Sequence, residues 1–264
     1  MRLTIEHHTH YQYSEQVARS TQYLRLTPRP SVRQHIVRWD LDMPEAAAQT
    51  TDAFGNILHV LTLDKPHDEI RIRAHGVVEI NPDQPVASGN GLSPLVYQRF
   101  TRFTRPDQAL LDFATGFERP RSSEDLAALS AAIIERIPYT AGETDATSTA
   151  AQAFSGGKGV CQDHTHVLLS VCRQLGLPAR YVSGYLYTED SSHVASHAWA
   201  EVWMNDHWYT VDVTNQSLKP DQHLRLAVGM DYLDACPVRG VRYGGGPEQL
   251  HTFALVERVE AGEQ

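Results

Sequence analysis

Hydrophobic and polar residues alternate along the N-terminal third of the chain. From His35 to Met43 every second residue is mostly apolar, and the residues between them are mostly polar. A period of two is typical of a strand with one buried face. Because turn residues and no helical pattern separate the strand-like runs, we expect an antiparallel β-sandwich over residues 1–95. The other runs are Leu3–Tyr13, Thr21–Leu26, Ile57–Leu63 and Glu69–Ile80.

The pattern becomes helical in the second part of the chain. A linker rich in proline, glycine and polar residues, over 81–85 and 88–91, places the boundary near residue 95, so that residues 96–264 form a second domain. Apolar residues then recur at helical spacing in Asp107–Phe117, Leu126–Ile137 and Gln162–Leu175. Ser122 or Ser123 can cap the second of these helices, and Gly176 can close the third. Three strand-like runs follow, so the whole pattern predicts an α+β protein: Ala179–Thr188, His197–Met204 and His207–Thr214.

Composition and charge exclude several classes of function. The net charge is −9, and no run of Lys and Arg carries interleaved aromatic residues, which argues against nucleic acid as the main partner. The sequence has no apolar run near the roughly 20 residues of a membrane span and no signal-peptide core. Its three cysteines, Cys161, Cys172 and Cys236, lack CxxC spacing, which argues against a disulfide framework or a structural zinc site. We expect a cytoplasmic protein with no cofactor and no membrane partner.

His7, His8 and His10 resemble a metal cluster at first. In a strand His8 and His10 share a face and His7 points the other way, with only Glu6 nearby as a further ligand. We interpret them as strand histidines, with metal binding as the alternative.

Cys161 stands where a glycine-rich turn, residues 155–159, meets a predicted helix. A thiol at a helix N-terminus lies at the positive end of the helix dipole, which favours the nucleophilic thiolate form. Cys172 lies about three turns further along the same helix and cannot bridge to Cys161. We therefore interpret Cys172 as a core residue and Cys161 as a candidate nucleophile.

A predicted β-hairpin supplies partners for this thiol. If Asn205 and Asp206 form a two-residue turn, His197 and Asp212 lie on the same side of the hairpin. Asp212 is then diagonal to His197, with about 7–8 Å between their Cα atoms. An imidazole can take the proton of a thiol, and a carboxylate can fix the tautomer of the imidazole. The pattern therefore predicts a Cys-His-Asp triad.

Several motifs in this region resemble those of the bacterial transglutaminase-like superfamily. They are Gly159–His166, Leu177–Tyr185, Ser196–Val202 and the segment Asp212-Val213-Thr214-Asn215, where Val213 replaces a usual proline. The N-terminal part is similar to the bacterial transglutaminase N-terminal domain. The resemblance implies a papain-like core of helices packed on an antiparallel sheet. It also implies that Cys161 is the nucleophile, His197 the general base and acid, and Asp212 the orienting carboxylate.

The resemblance implies acyl transfer through a thioester on a protein or peptide substrate. We expect a cysteine protease or amidase, with transamidation to an amine acceptor as the alternative. Two other classes stay open, a non-enzymatic binding module and a zinc site made by Cys161, His197 and Asp212. Gln162, His164 and Trp199 are expected in the oxyanion region or substrate cleft, and His164 lies one helical turn from the thiol.

Overall fold

The computed structural model describes residues 1–86, 91–189 and 196–259. Part of the predicted linker, residues 88–90, lies outside these ranges. No helix within them is long and apolar enough to cross a membrane. The elements in chain order are β1 (Arg2–Leu24), β2 (Gln34–Asp42), β3 (Ala48–Thr51), β4 (Ile57–Leu63), β5 (His67–Ile80), a 3-10 helix (Pro94–Gln98), α1 (Gln108–Thr115), α2 (Ser123–Arg136), α3 (Ala150–Gly156), α4 (Cys161–Gln174), β6 (Ala179–Leu186), β7 (His197–Met204), β8 (His207–Val211), β9 (His223–Gly229), α5 (Tyr232–Ala235), β10 (Val238–Gly244) and β11 (Glu248–Arg258).

Strand β1, 23 residues long, organises the first sheet. Its N-terminal half pairs with β5 and β11, and its C-terminal half pairs with β4 and β10, all antiparallel. The register with β5 shifts between Gln12 and Val17, which separates the two halves. Buried residues of both halves, such as Leu3 and Leu24, belong to one hydrophobic cluster. In β1 the predicted alternation is therefore the alternation of core-facing and outward-facing side chains. In β2 a register shift between Ile36 and Arg38 leaves His35 and Val37 exposed, and Ile36 packs on the core instead.

The last two strands return to this first sheet. Strand β11 runs beside β1 from the pair Leu3–Arg258 to the pair Tyr13–Glu248. The predicted division at residue 95 placed this segment in the second domain. Because β1 has a backbone edge on the side away from β5, the C-terminal strands satisfy the hydrogen bonds of that edge. The N-terminal sheet is therefore completed by the end of the chain.

The second sheet has the order β8-β7-β6-β9 and is antiparallel throughout. Every residue of β6 is buried, because helices cover one face and the first sheet approaches the other. Helix α2 begins at the predicted cap, where Ser122 and Asp125 form a capping box. Helices α2 and α4 contribute their apolar stripes to the core on this sheet. The predicted α+β architecture is confirmed.

Buried hydrogen bonds join the two sheets. The Asn56 side chain donates to the carbonyl of Val228 and accepts from its N–H, both at 2.8 Å. His7 of β1 lies 2.6 Å from the hydroxyl of Tyr185 on β6. The N-terminal sheet is thus held in a defined position against the second sheet.

Candidate active site

Cys161 is the first residue of α4 and is partly exposed. The turn before it is fixed by Asp163, whose carboxylate accepts from the Val160 N–H at 2.8 Å and the Thr144 hydroxyl at 2.6 Å. A Cβ on Gly159 would lie 2.7 Å from the Cβ of Asp163, so only glycine fits there. The thiol is therefore held at the helix N-terminus by a specific local arrangement.

The β7–β8 hairpin has the register that the sequence predicts. Met204 pairs with His207, and the turn residues Asn205 and Asp206 have φ of 50° and 63°. Positive φ at both central residues is the signature of the type I′ turn, whose twist matches that of a hairpin. The turn therefore fixes which side chains of the two strands share a face.

His197 and Asp212 meet at the far end of this hairpin. The ring Nε2 of His197 lies 2.7 Å from the Oδ2 of Asp212, and His197 and Cys161 line the same cleft. Burial lowers the pKa of His197, but the hydrogen bond with Asp212 and the influence of the nearby Cys161 outweigh burial and raise the pKa to about 10. Burial raises the pKa of Asp212, but its hydrogen bonds with histidines hold the carboxyl ionised, far below its usual range.

Asp212 has two further hydrogen-bond partners. His223 of β9 places its Nε2 at 3.0 Å from Oδ2, and the Asn215 side chain donates to the same oxygen at 2.8 Å. Burial lowers the pKa of His223, so that ring is neutral. Its Nδ1 has no hydrogen-bond partner among the described residues, so Nε2 carries the proton and donates to Asp212.

The ligand atoms of His197, Asp212 and His223 all lie within 4.8 Å of one another, which is close enough for a metal ion. The zinc alternative raised from the sequence had Cys161 in place of His223. The Oδ2 of Asp212 is already within hydrogen-bond distance of three nitrogens, those of both histidines and Asn215. Hydrogen bonding alone therefore accounts for the arrangement.

The N-terminal histidines do not converge. The buried His7 lies 2.6 Å from the Tyr185 hydroxyl, whereas His8 pairs with Glu6 and His10 pairs with Glu69 on the outer face of the sheet. Their arrangement is that of strand histidines with separate partners.

A cleft of about 250 Å³ opens beside Cys161 and His197. One wall comes from the second sheet and the starts of α4 and β10, and the other comes from β1 and β11. The lining residues are His7, Thr9, Tyr11, Val160, Cys161, Gln162, Tyr181, Ser183, Ser196, His197, Ala198, Tyr232, Cys236, Pro237, Val238, Leu250 and Thr252.

Comparison with known families agrees with this geometry. The model of the transglutaminase-like superfamily matches residues 110–213, and that of the bacterial transglutaminase-like N-terminal region matches residues 3–79. The chain belongs to the transglutaminase-like superfamily. Residues 3–79 cover β1 to β5, and residues 110–213 include Cys161, His197 and Asp212.

The relatives of this transglutaminase-like protein span nearly its whole length. An uncharacterized protein of Mycobacterium tuberculosis (strain ATCC 25618 / H37Rv) is 30% identical over 275 residues, covering 92% of this chain and 88% of its own. One of Mycobacterium leprae (strain TN) is 29% identical over 277 residues, covering 98% and 99%. A crystal structure of a candidate cysteine protease from Cytophaga hutchinsonii superposes with a TM-score of 0.79 at 20% identity, covering 98% of this chain and 92% of that one. That structure shows the same fold.

Two of the three predicted cleft residues of this transglutaminase-like protein lie elsewhere. Gln162 lines the cleft. His164 is fully buried, because its Nδ1 lies 2.9 Å from the Thr214 hydroxyl and its Nε2 2.8 Å from the Ile137 carbonyl. Trp199 is also buried, stacks on the His197 ring with 6.0 Å between centroids and is not among the residues that line the cleft. His164 and Trp199 therefore do not lie in the cleft as predicted, but are buried beside the site.

His223 was missed by the sequence analysis. It lies eleven positions after Asp212, and no local spacing marks it as a partner of that residue. Asn215 belongs to the quoted Asp-Val-Thr-Asn motif, and its contact with Asp212 gives that motif a physical role.

Proposed function

We propose that this transglutaminase-like protein is a cysteine hydrolase that cleaves amide bonds of proteins or peptides through a thioester acyl-enzyme. The observation that carries the proposal is the His197–Asp212 pair, with 2.7 Å between Nε2 and Oδ2, which lies beside Cys161 in an open cleft. A thiol with a base that is itself oriented by a carboxylate is the arrangement required for nucleophilic catalysis.

Before acylation, the proton of the Cys161 thiol has moved to the ring of His197. The Cys161 sulfur attacks the carbonyl carbon of the substrate, and the carbonyl oxygen takes the negative charge. The backbone N–H of Cys161 is one of the first amides of α4, which have no acceptor inside the helix, so it is available to that oxyanion. The imidazolium of His197 then gives its proton to the leaving nitrogen, the C–N bond breaks, and an amine departs.

Deacylation uses the same groups in reverse. His197, now neutral, takes a proton from water, and the hydroxide formed attacks the thioester carbonyl. The C–S bond breaks, a carboxylic acid leaves, and the thiolate–imidazolium pair of Cys161 and His197 is restored. Asp212 stays ionised throughout, because its hydrogen bonds with His197 and His223 hold its pKa far below its usual range.

Trapping of the acyl-enzyme tests the proposal directly. The protein is mixed with a library of peptide amides and activated esters, and intact mass reports an adduct at Cys161. We expect a hydroxylamine-sensitive adduct in the parent protein and none in Cys161→Ser. Cys172→Ser is the matched control, since Cys172 is buried on the same helix away from the cleft. An adduct that persists in Cys161→Ser would contradict the proposal.

Hydrolysis and transamidation differ in whether water or an amine takes the acyl group from the enzyme. The protein is incubated with a glutamine-containing peptide and a labelled primary amine. Release of ammonia or peptide cleavage without incorporation of the amine supports hydrolysis. Incorporation of the amine would assign the protein to the transamidases instead.

A further inference from the structure

We propose that the cleft accepts an uncharged acyl group, and that the N-terminal sheet supplies the wall that selects it. This inference rests on the proposed function and names the substrate class of the same site. It also gives β1 and β11 a role in specificity.

The wall made by the N-terminal sheet is built from two cross-strand pairs. Thr9 of β1 pairs with Thr252 of β11, and Tyr11 pairs with Leu250, so these four side chains face the same way. All four line the cleft together with His7. Exposure increases along this wall, from 2% at His7 and 4% at Thr9 to 50% at Leu250. The wall therefore has a buried polar floor and an apolar rim.

The opposite wall of the cleft is also uncharged, with aromatic and apolar side chains. Tyr181 and Ser183 of β6 face the cleft beside Tyr232 and Val238. The Ser183 hydroxyl donates to the carbonyl of Ala235, so its proton is already used within the protein. A substrate that lies between Leu250 and Val238 reaches Cys161 through apolar and aromatic surfaces.

None of the described residues that line the cleft is Lys, Arg, Asp or Glu, so the Cys161–His197 pair is its source of formal charge. His7 is neutral because burial lowers its pKa to about 4. Its Nδ1 lies 2.6 Å from the Tyr185 hydroxyl and its Nε2 3.1 Å from the Thr252 hydroxyl. The floor therefore offers hydrogen bonds without charge.

On β1 the charged side chains lie on the other face. Glu248 of β11 shares the face of Leu250, but it is paired with Arg242 at 3.2 Å and does not line the cleft. Glu6 of β1 pairs with Arg73, and His10 pairs with Glu69, on the side away from the cleft. A charged substrate side chain in the cleft would lose hydration and find no counter-ion among the described lining residues. An uncharged side chain loses little hydration energy on entering the cleft and gains apolar contact. We therefore expect neutral acyl groups to be preferred by at least about tenfold.

The test measures acylation of Cys161 by aryl esters of N-acetyl-leucine, N-acetyl-phenylalanine, N-acetyl-lysine and N-acetyl-glutamate. Each rate is divided by the rate of the same ester with glutathione, which removes differences in intrinsic reactivity. The expected result is that the leucine and phenylalanine esters acylate at least about tenfold faster than the charged ones. Equal normalised rates for all four would overturn the inference.

A charge placed on the rim gives the second arm. Leu250→Lys should raise the glutamate-to-lysine rate ratio at least about fivefold, because the added ammonium attracts one acyl group and repels the other. The matched control is Val241→Lys on β10, which is 63% exposed and outside the cleft lining. A ratio that is the same in Leu250→Lys and Val241→Lys would overturn the role of the wall.

A third arm does not depend on acyl transfer. Neutral, anionic and cationic methanethiosulfonates modify Cys161 directly, and Leu250→Lys should speed the anionic reagent relative to the cationic one while Val241→Lys does not. If no ester acylates Cys161 but this shift is seen, the proposed function fails and the cleft inference stands. If acylation occurs without any discrimination by charge, the inference fails and the proposed function stands.

Discussion

Replacing Asp212 by asparagine should remove the negative charge that keeps the imidazole of His197 protonated. In the folded protein burial lowers the pKa of His197, but the hydrogen bond with Asp212 and the influence of the nearby Cys161 raise it to about 10, against an ordinary value of 6.5. Since one pKa unit corresponds to about 1.4 kcal/mol, the site favours the imidazolium by on the order of 5 kcal/mol. Without the carboxylate we expect burial, the largest single influence on this pKa, to prevail and His197 to be neutral at pH 7. The thiolate–imidazolium pair of the proposed mechanism would then lose its main support.

The assay is the rate of iodoacetamide labelling of Cys161 between pH 5 and 9, followed by intact mass. The parent protein should label at pH 6, because the imidazolium of His197 persists until the pH passes about 10. Asp212→Asn should label about 100-fold more slowly at pH 6 and recover only in alkaline solution. Asp206→Asn makes the same change in the exposed turn of the same hairpin and serves as the control. A labelling profile of Asp212→Asn that matches the parent protein would refute this reasoning.

Three further predictions concern the support of the site. Gly159→Ala should lower the free energy of unfolding by about 1–3 kcal/mol in denaturant titration, since its Cβ would lie 2.7 Å from Asp163, whereas Gly156→Ala meets nothing within 4 Å and should not. Arg173→Met should cost about 3–5 kcal/mol in the same titration, because this buried guanidinium donates four hydrogen bonds that methionine cannot replace; an unchanged midpoint would contradict it. Burial lowers the pKa of His166 to about 3, so the unfolded chain binds a proton that the folded protein excludes, and stability should fall as the pH drops from 6.5 towards 3. His166→Gln should make the fall of stability with pH shallower. A slope equal to that of the parent protein would contradict the attribution to His166.

The features that the sequence predicts well are those set by neighbouring residues. The start of α4 follows from a glycine turn before an apolar stripe, and the turn Asn205–Asp206 allows one hairpin register. That register places His197 and Asp212 on one side of the hairpin, and their side chains are 2.7 Å apart. Local periodicity and turn chemistry are sufficient here because β7 and β8 are joined by two residues.

Features that depend on distant parts of the chain were not predictable in this way. Strand β11 pairs with β1 across some 240 positions of sequence, and no local pattern indicates that pairing. His164 and Cys161 are close along α4, but the bonds of His164 to Ile137 and Thr214 turn it into the core. Proximity to the thiol in the sequence therefore wrongly placed His164 in the cleft, because a helix presents different residues to different neighbours.

The two histidines on Asp212 show how one charge state is selected in this buried site. Both His197 and His223 place Nε2 at Oδ2, but burial keeps His223 neutral while His197 is charged. A second imidazolium on the same carboxylate would repel the first and weaken the preference of His197 for its proton. A neutral donor instead stabilises the ionised carboxylate without adding charge. The charge that Asp212 supports is therefore directed to the one histidine that faces Cys161.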